Sequence, residues 1–272
     1  MSEFIRIMAA PFTACIILVG IHAYLGIHVL TRGVIFIDLA LAQIAALGTT
    51  IGFLFGFELE SQGAYLFSLG FTLLGAGIFS LTRMRDEKIP QEAIIGIVYA
   101  VASAAVILVM DRAPHGAEHI KSLLVGSILW VTWPVVAKTG VLFGIIGLVH
   151  WFLRDRFLLI STNPEEAREK GYSLSFWDFL FYALFGIVVT SAVRIAGVLL
   201  VFSFLIVPAV FGFFFSSRLL SRLLLGWAMG TGVSILGIIL SYLVDLPTGA
   251  AVVTTFGIAL LLSTIFRGIL SR

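Results

Sequence analysis

The sequence predicts an all-α, polytopic membrane protein of about nine spans, and three observations carry that prediction. Sixty per cent of its 272 residues are hydrophobic and only 12% are charged, where a soluble domain carries roughly a quarter. Apolar runs of about 20 residues, the length that crosses a hydrocarbon core about 30 Å thick, recur along the whole chain. The runs are continuously apolar and do not alternate inward and outward, which selects helices over a barrel, the other structure that satisfies every backbone polar group in lipid. Nothing remains for a separate catalytic domain, so residues 1–272 read as a single transmembrane domain.

Spans are expected at about 8–31, 34–56, 62–82, 91–110, 133–153, 175–193, 195–215, 219–242 and 248–267. The first is of full membrane length without a small-residue cleavage site, which reads as a retained span and not a signal peptide. Its Cys15 is the chain's one cysteine, which excludes a disulfide framework or a cysteine metal cluster within the chain. The weakest break is at Arg194; without it the count falls to eight. Residues 121–131 are too short to cross and read as a re-entrant or interfacial helix.

Orientation follows from lysine and arginine, which are retained on the cytoplasmic side of span ends. Arg32, Arg83, Arg85, Lys88, Arg154, Arg156, Arg168, Lys170, Arg218, Arg222, Arg267 and Arg272 fall on one side, which is 12 of the 17 positive residues. That side is cytoplasmic, with the N-terminus outside and the C-terminus inside. Arg6, Arg112, Lys121, Lys138 and Arg194 face out, beside Glu58, Glu60 and Asp245. A net charge of +2 is too small to suggest nucleic-acid binding.

No period of 20–50 residues repeats, which excludes a solenoid. There is a looser echo: Gly33 to Gly48 and Gly197 to Gly212 frame helices of equal length between glycines, as two halves related by pseudo-symmetry would, although glycine is common in membrane helices anyway.

The polar segment after the fifth span contains STNPEEAREKG from Ser161 to Gly171. A capping residue and proline open it, acids fill its first turn, and Lys170 with Gly171 close it. It predicts a short charged helix at about 161–171, too polar to insert and too short to be stable alone. Such a helix is either a solvated loop element or the piece a membrane domain uses to dock a soluble motor. No G-x-x-x-x-G-K-[ST] loop occurs, so any ATPase is another polypeptide. G-x-S-x-G and H-E-x-x-H are missing as well, and the chain reads as a non-enzyme with no resident cofactor.

Ionisable groups inside lipid are few and are functional candidates by default. Asp38 lies at the start of span two, either functional or paired with Arg32 at the surface. His22 and His28 are six apart and sit about 120° from each other around the helix, not stacked. His150 reads as a snorkelling interfacial residue. His115 and His119, beside Pro114, Gly116 and Glu118, form either a metal-collecting vestibule or a plain polar loop. Pro208 interrupts a span and frees backbone carbonyls that a neighbour or a lined cavity has to meet. Asp245 to Gly249 forms a turn set by proline and glycine.

Five stretches together resemble the membrane permeases of the metal-uptake ATP-binding-cassette family, the zinc, manganese and iron importers, and the resemblance runs over nearly the whole chain. They are RGVIFIDLALAQIAALG from Arg32 to Gly48, EAIIGIVYA from Glu92 to Ala100, LVGSIL from Leu124 to Leu129, GVLLVFSFLIVPA from Gly197 to Ala209, and DLPTG from Asp245 to Gly249. NPEEAREKG, from Asn163 to Gly171, is similar to the family's D-P-x-x-A-x-x-x-G stretch. The resemblance implies a type II importer fold, with Pro164, Glu165, Glu166, Ala167 and Gly171 in the helix that couples to an ATPase. It implies an ATP-binding subunit, an extracytoplasmic solute-binding protein and a second permease copy as partners, all at the inner membrane, with a metal ion or metal chelate as cargo. Gly48, Gly197 and Pro208 are the expected gating and pore-lining positions. In the family, span two usually carries Asp-Ala-Leu-x-His, whose aspartate and histidine are thought to meet the metal. Here Leu39 and Gln43 occupy those positions and the aspartate is displaced to Asp38. Asp38 and Gln43 are the metal candidates, but five residues put them about 140° apart on a helix, so they cannot chelate one ion jointly. The rival reading is a secondary transporter or channel that works without a motor. It predicts charged relays at mid-membrane, and this sequence has almost none.

Overall fold

The computed structural model describes residues 2–59, 61–83, 89–111, 118, 124–126 and 128–270, with side chains from residue 7 to residue 268. The expected His115 and His119 vestibule lies outside the described residues, as do Glu60, Arg85, Lys88, Arg112, Lys121 and Arg272. Among the described residues every regular element is helical. They are α1 (Ser2–Arg32), α2 (Ile37–Leu54), α3 (Gln62–Leu81), α4 (Gln91–Met110), a single 3₁₀ turn at Ile128–Trp130, α5 (Trp133–Phe152), α6 (Arg154–Thr162), α7 (Pro164–Glu169), α8 (Leu174–Phe215), α9 (Leu219–Val244) and α10 (Thr248–Leu270).

Eight of these helices are long and apolar enough to cross a membrane. The difference from nine lies in α8, whose 42 residues would run about 63 Å as one rod, twice the hydrocarbon thickness. A break is required, and it falls at Gly197, where φ is 75° and ψ is 162°. The expected spans 175–193 and 195–215 are thus the two parts of one helical stretch. The segment expected to be re-entrant, 121–131, is described only in part: residues 124–125 are helical and the 3₁₀ turn follows at Ile128–Trp130.

The chain forms two compact units: residues 1–30, 124–147 and 194–272 in one, residues 31–123 and 148–193 in the other. In the first, the small residues of α1 admit close neighbours. Gly26 lies against the backbone of Leu205 and the side chain of Ala209 in α8, and the Trp227 indole of α9 donates to the Gly20 carbonyl at 2.8 Å. Gly226 and Gly230 of α9, four apart, form a small-residue face. A methyl group on Gly226 would stand 3.0 Å from the Pro208 carbonyl oxygen, and one on Gly230 would stand 3.1 Å from the Pro208 ring. Such faces let membrane helices approach where lipid supplies no hydrophobic drive.

In the second unit, α2 packs on α3 through Gly48 and Gly52. A methyl on Gly48 would stand 2.7 Å from the Phe67 carbonyl oxygen, and the Ser68 hydroxyl donates to the Ala45 carbonyl at 2.9 Å. Interhelical hydroxyl bonds add to this: Thr72 meets Thr190 at 3.0 Å and Tyr65 meets Ser191 at 2.9 Å. Each unit therefore holds one copy of the glycine echo, in which a left-handed glycine, Gly33 or Gly197, precedes a helix. Fifteen residues later the second glycine, Gly48 or Gly212, packs against the backbone of the following helix.

Candidate functional site

The five stretches of interest gather at two places, one in each unit. In the unit of residues 31–123 and 148–193, the N-terminal end of α2 meets the start of α4. Gly33 adopts φ 69°, and α2 begins at Ile37 with no side-chain cap of its own. The orphan N–H groups of a helix start need acceptors, and Glu92 of α4 supplies one: its Oε1 accepts the Phe36 N–H at 2.9 Å. Asp38 lies in the same first turn, 2% exposed, with Oδ1 accepting the Leu39 N–H at 2.8 Å. Both carboxylates sit where the positive end of the helix dipole favours negative charge. Gln43 is half-buried on the same helix, and Gly48 is buried at the crossing with α3. The surface pairing of Asp38 with Arg32 weighed above does not form: Asp38 is buried, and Arg32 pairs elsewhere.

In the other unit, three stretches converge on the α8 break. A β-carbon on Gly126, at φ 68°, would run into the Ala196 and Gly197 backbone, and one on Gly197 would reciprocally meet Val125 and Gly126. Gly249, at the start of α10, lies against the Val125 carbonyl. No side chain fits between these backbones, and both Gly126 and Gly197 hold a left-handed conformation that a β-carbon resists. The DLPTG turn is held by Ser241, which donates to the Leu246 carbonyl at 2.7 Å and meets the Thr248 hydroxyl at 2.9 Å. Asp245 takes φ 55° as the left-handed cap of α9.

The polar segment after α5 forms two helices where one was expected. α6 (Arg154–Thr162) turns Phe157, Ile160 and Ser161 inward. α7 is shorter than the expected 161–171, because Asn163, not Ser161, is its cap: Asn163 Oδ1 accepts the Glu166 N–H at 3.2 Å and Pro164 takes the first helical position. Gly171, at φ 80°, closes it, with the Gly171 N–H bonding the Arg168 carbonyl at 2.8 Å and the Tyr172 N–H bonding the Ala167 carbonyl at 3.0 Å. Ala167 is buried and seats the helix on its own chain. Glu165, Arg168, Glu169, Lys170 and Gly171 are exposed, with Pro164 and Glu166 partly so. Lys170 Nζ donates to Glu166 Oε1 at 2.6 Å. That hydrogen bond, followed by the attraction of the charges, lowers the Glu166 carboxyl below its ordinary value and raises Lys170 above its own. The result is a short, doubly capped rod with a charged outer face.

Beneath α7 lies a cluster that the sequence did not announce. Asp178, in the second turn of α8, is fully buried; Oδ1 accepts Arg32 Nη1 and Oδ2 accepts Arg83 Nη1, each at 2.7 Å. Arg32 Nε also donates to the Ser161 hydroxyl at 2.8 Å, and the Arg32 guanidinium lies 4.0 Å from the centre of the Phe181 ring. Charge-assisted bonds of this length satisfy a buried carboxylate, and one carboxylate here joins the ends of α1 and α3 to α6 and α8. Nothing local predicted it, because Arg32 and Asp178 are remote in sequence and the nearby Asp38 looked the better partner. His150 is likewise not a snorkelling residue: it is 1% exposed, with its ring 4.6 Å from Phe157 and 5.7 Å from Phe181. His22 is buried against Phe143, and its Nδ1 donates to the Leu18 carbonyl at 2.7 Å. Among the described residues, no three of histidine, cysteine, aspartate and glutamate gather as a metal site would.

Comparison with known proteins follows this geometry. A family model described as the ABC 3 transport family matches residues 4–267. The chain is 28% identical over 244 residues to the "Probable iron transport system membrane protein" of Haemophilus influenzae, covering 90% of this chain and 87% of that one. It is 25% identical over 267 residues to the manganese import system permease protein ScaB of Streptococcus gordonii, covering 97% and 92%. Among solved structures, PsaBC from Streptococcus pneumoniae in complex with Fab superposes with a TM-score of 0.78 at 23% identity, covering 96% of this chain and 94% of that one. A likeness at that identity shows the shared fold.

Proposed function

Because this chain belongs to the ABC 3 transport family, we propose that it is the membrane-spanning permease subunit of an ATP-driven importer for a divalent metal cation or a metal chelate. The observation that carries the reading is α7: a capped, exposed, charged helix whose Pro164, Ala167 and Gly171 fit the family's coupling stretch. ATP is hydrolysed on a separate subunit that grips α7 at the cytoplasmic face of the inner membrane. An extracytoplasmic binding protein delivers cargo, and a second permease copy completes the pore. Nucleotide-driven movement of α7 passes to α6, α8 and α1 through the buried ion cluster, and the access of the pore alternates.

Names of relatives support a metal cargo: iron for the Haemophilus protein and manganese for the Streptococcus gordonii one. Gln43 stands where the family's histidine is expected, so the span-two site offers oxygen donors, Asp38 and the Gln43 amide, without an imidazole. The two lie on different faces of α2 and cannot hold one ion together, so what the departure removes is the imidazole that zinc favours. Gly48, Gly197 and Pro208 line or gate the path in this reading. Elemental analysis of uptake in cells with and without the gene tests the cargo: loss of manganese or iron accumulation on deletion agrees with it, and unchanged metal content contradicts it. Transport by this polypeptide alone, without an ATPase, would favour a motor-free transporter or channel.

A further inference from the structure

A cleft of about 250 Å³ opens between the end of α3, α7 and the first turns of α8, lined by Ser80, Arg83, Arg168, Leu174, Ser175 and Asp178. Among the described residues its charge does not balance. Asp178 is the carboxylate of the cluster and both of its oxygens are taken, by Arg32 and by Arg83. Arg168 brings a third guanidinium, and among the described residues no carboxylate pairs with it. Glu166 on the same helix is held by Lys170 at 2.6 Å. Among the described residues two guanidiniums, Arg83 and Arg168, and one carboxylate, Asp178, line the cleft, and Arg32 holds the other oxygen of that carboxylate. Arg32 Nη2 is buried with no hydrogen-bond partner among the described residues, which leaves a donor unmet within the same cluster. The Ser80 hydroxyl is spent on the Gly77 carbonyl at 2.8 Å, but a cavity with two guanidiniums and the Ser175 hydroxyl suits an anion with several acceptor oxygens.

We propose that this cleft is a phosphate-group site, held by Arg83 and Arg168 with Ser175 beside them. Guanidinium forks match tetrahedral oxyanions, and a group with three acceptor oxygens can meet several donors at once, which a single carboxylate does less well. Two sources carry that chemistry: the headgroup of an anionic phospholipid, and inorganic phosphate from solution. The cleft is formed at the end of α3 and the start of α8, both long and apolar enough to span a membrane, so it lies at span-end level within reach of either source. The site is distinct from the span-two candidates and does not depend on which cargo is carried.

The test uses the purified full chain in two kinds of nanodisc. In phosphatidylcholine discs, inorganic phosphate is titrated and followed by ³¹P line broadening, with acetate as competitor. In discs doped with phosphatidylglycerol, retained lipid is counted by native mass spectrometry. Saturable binding of one phosphate group per chain is expected, weakened about tenfold in Arg168→Gln, the loss of one charge-assisted hydrogen bond. Ser175→Ala, a smaller change, is expected to weaken it by a lesser factor. Both side chains are exposed, and an unchanged helical circular dichroism spectrum shows that the variants fold. Phosphatidylglycerol that is retained and blocks inorganic phosphate identifies the headgroup as the source; phosphate binding indifferent to phosphatidylglycerol identifies the soluble ion. The proposal is overturned by no saturable binding in either disc, by binding unaltered in both variants, or by acetate competing as well as phosphate, which would assign the cleft to a carboxylate of a partner protein.

Discussion

Arg32 and Asp178 stand 146 positions apart in the chain and 2.7 Å apart in space, with side chains 1% and 0% exposed. One is the last residue of α1, and the other lies in the second turn of α8. With Arg83 on its second oxygen, the carboxylate of Asp178 is the point through which those helices are tied.

Removal of that carboxylate leaves two guanidinium groups facing each other, one of them fully buried. Asp178→Ala is expected to destabilise the protein by about 3–5 kcal/mol, the usual cost of breaking a buried ion pair from one side. The midpoint of thermal unfolding in detergent, followed by tryptophan fluorescence, reads this. Arg32→Lys keeps the charge but loses the fork that reaches both Asp178 and Ser161, so its midpoint falls between those of the wild type and Asp178→Ala.

Gly197→Ala and Gly33→Ala separate two effects of a left-handed glycine. At Gly33, φ is 69° and nothing lies within 4 Å of an added methyl group, so the cost is the backbone preference alone, about 1–2 kcal/mol. At Gly197 the methyl group also meets the backbone at Val125 and Gly126, which cannot swing aside as a side chain can. Folded yield from membranes is expected to fall much further for Gly197→Ala, and Gly126→Ala should behave like it.

The Glu166 and Lys170 pair sets a pH window. Glu166 has its folded pKa lowered, so its share of the pair is present above its unfolded value of about 4.3 and is lost as pH falls. Lys170 has its folded pKa raised, so its share is present below about 10.4 and is lost as pH rises through the folded value. A ¹³C carboxyl titration is expected to place Glu166 below an ordinary glutamate. Lys170→Met should return it toward the ordinary value; a titration unmoved by that substitution would mean the pair does not form in solution.

Gln43→His tests the span-two departure. An imidazole at that position adds a borderline-soft donor, so uptake is expected to shift toward zinc relative to manganese. Metal content of cells expressing each form measures the ratio. An identical ratio would place the ion's path away from Gln43.

Much of this architecture was legible in the sequence, for a reason that varies from part to part. Spans announce themselves because lipid demands about 20 apolar residues in a row, and the observed helices 62–81, 91–110 and 133–152 lie within a residue of expectation. A division between two spans was legible at Arg194, three residues before the observed break at Gly197; a single residue in an unusual conformation is enough to make it, so composition alone could not separate eight from nine. The cap of α7 was legible as a capping residue before proline, and Asn163 beside Pro164 fills that place, while Ser161 belongs to α6 and turns inward to accept from Arg32. Asp178 went unseen for the opposite reason: its partners come from other helices, and no spacing rule joins positions so far apart. His150 looked like an interfacial residue until Phe157 and Phe181 were placed over it, a contact only the tertiary fold creates.

The central claim is that α7 is the grip of a separate ATP-hydrolysing subunit, and the most direct measurement is metal uptake into proteoliposomes. Vesicles holding this chain with its ATPase, supplied with ATP and the loaded binding protein, are predicted to take up metal. Reversing the exposed charge with Glu165→Lys is predicted to lose both the bound ATPase and the uptake. Equal uptake by vesicles holding this chain alone, with no nucleotide, would contradict the account.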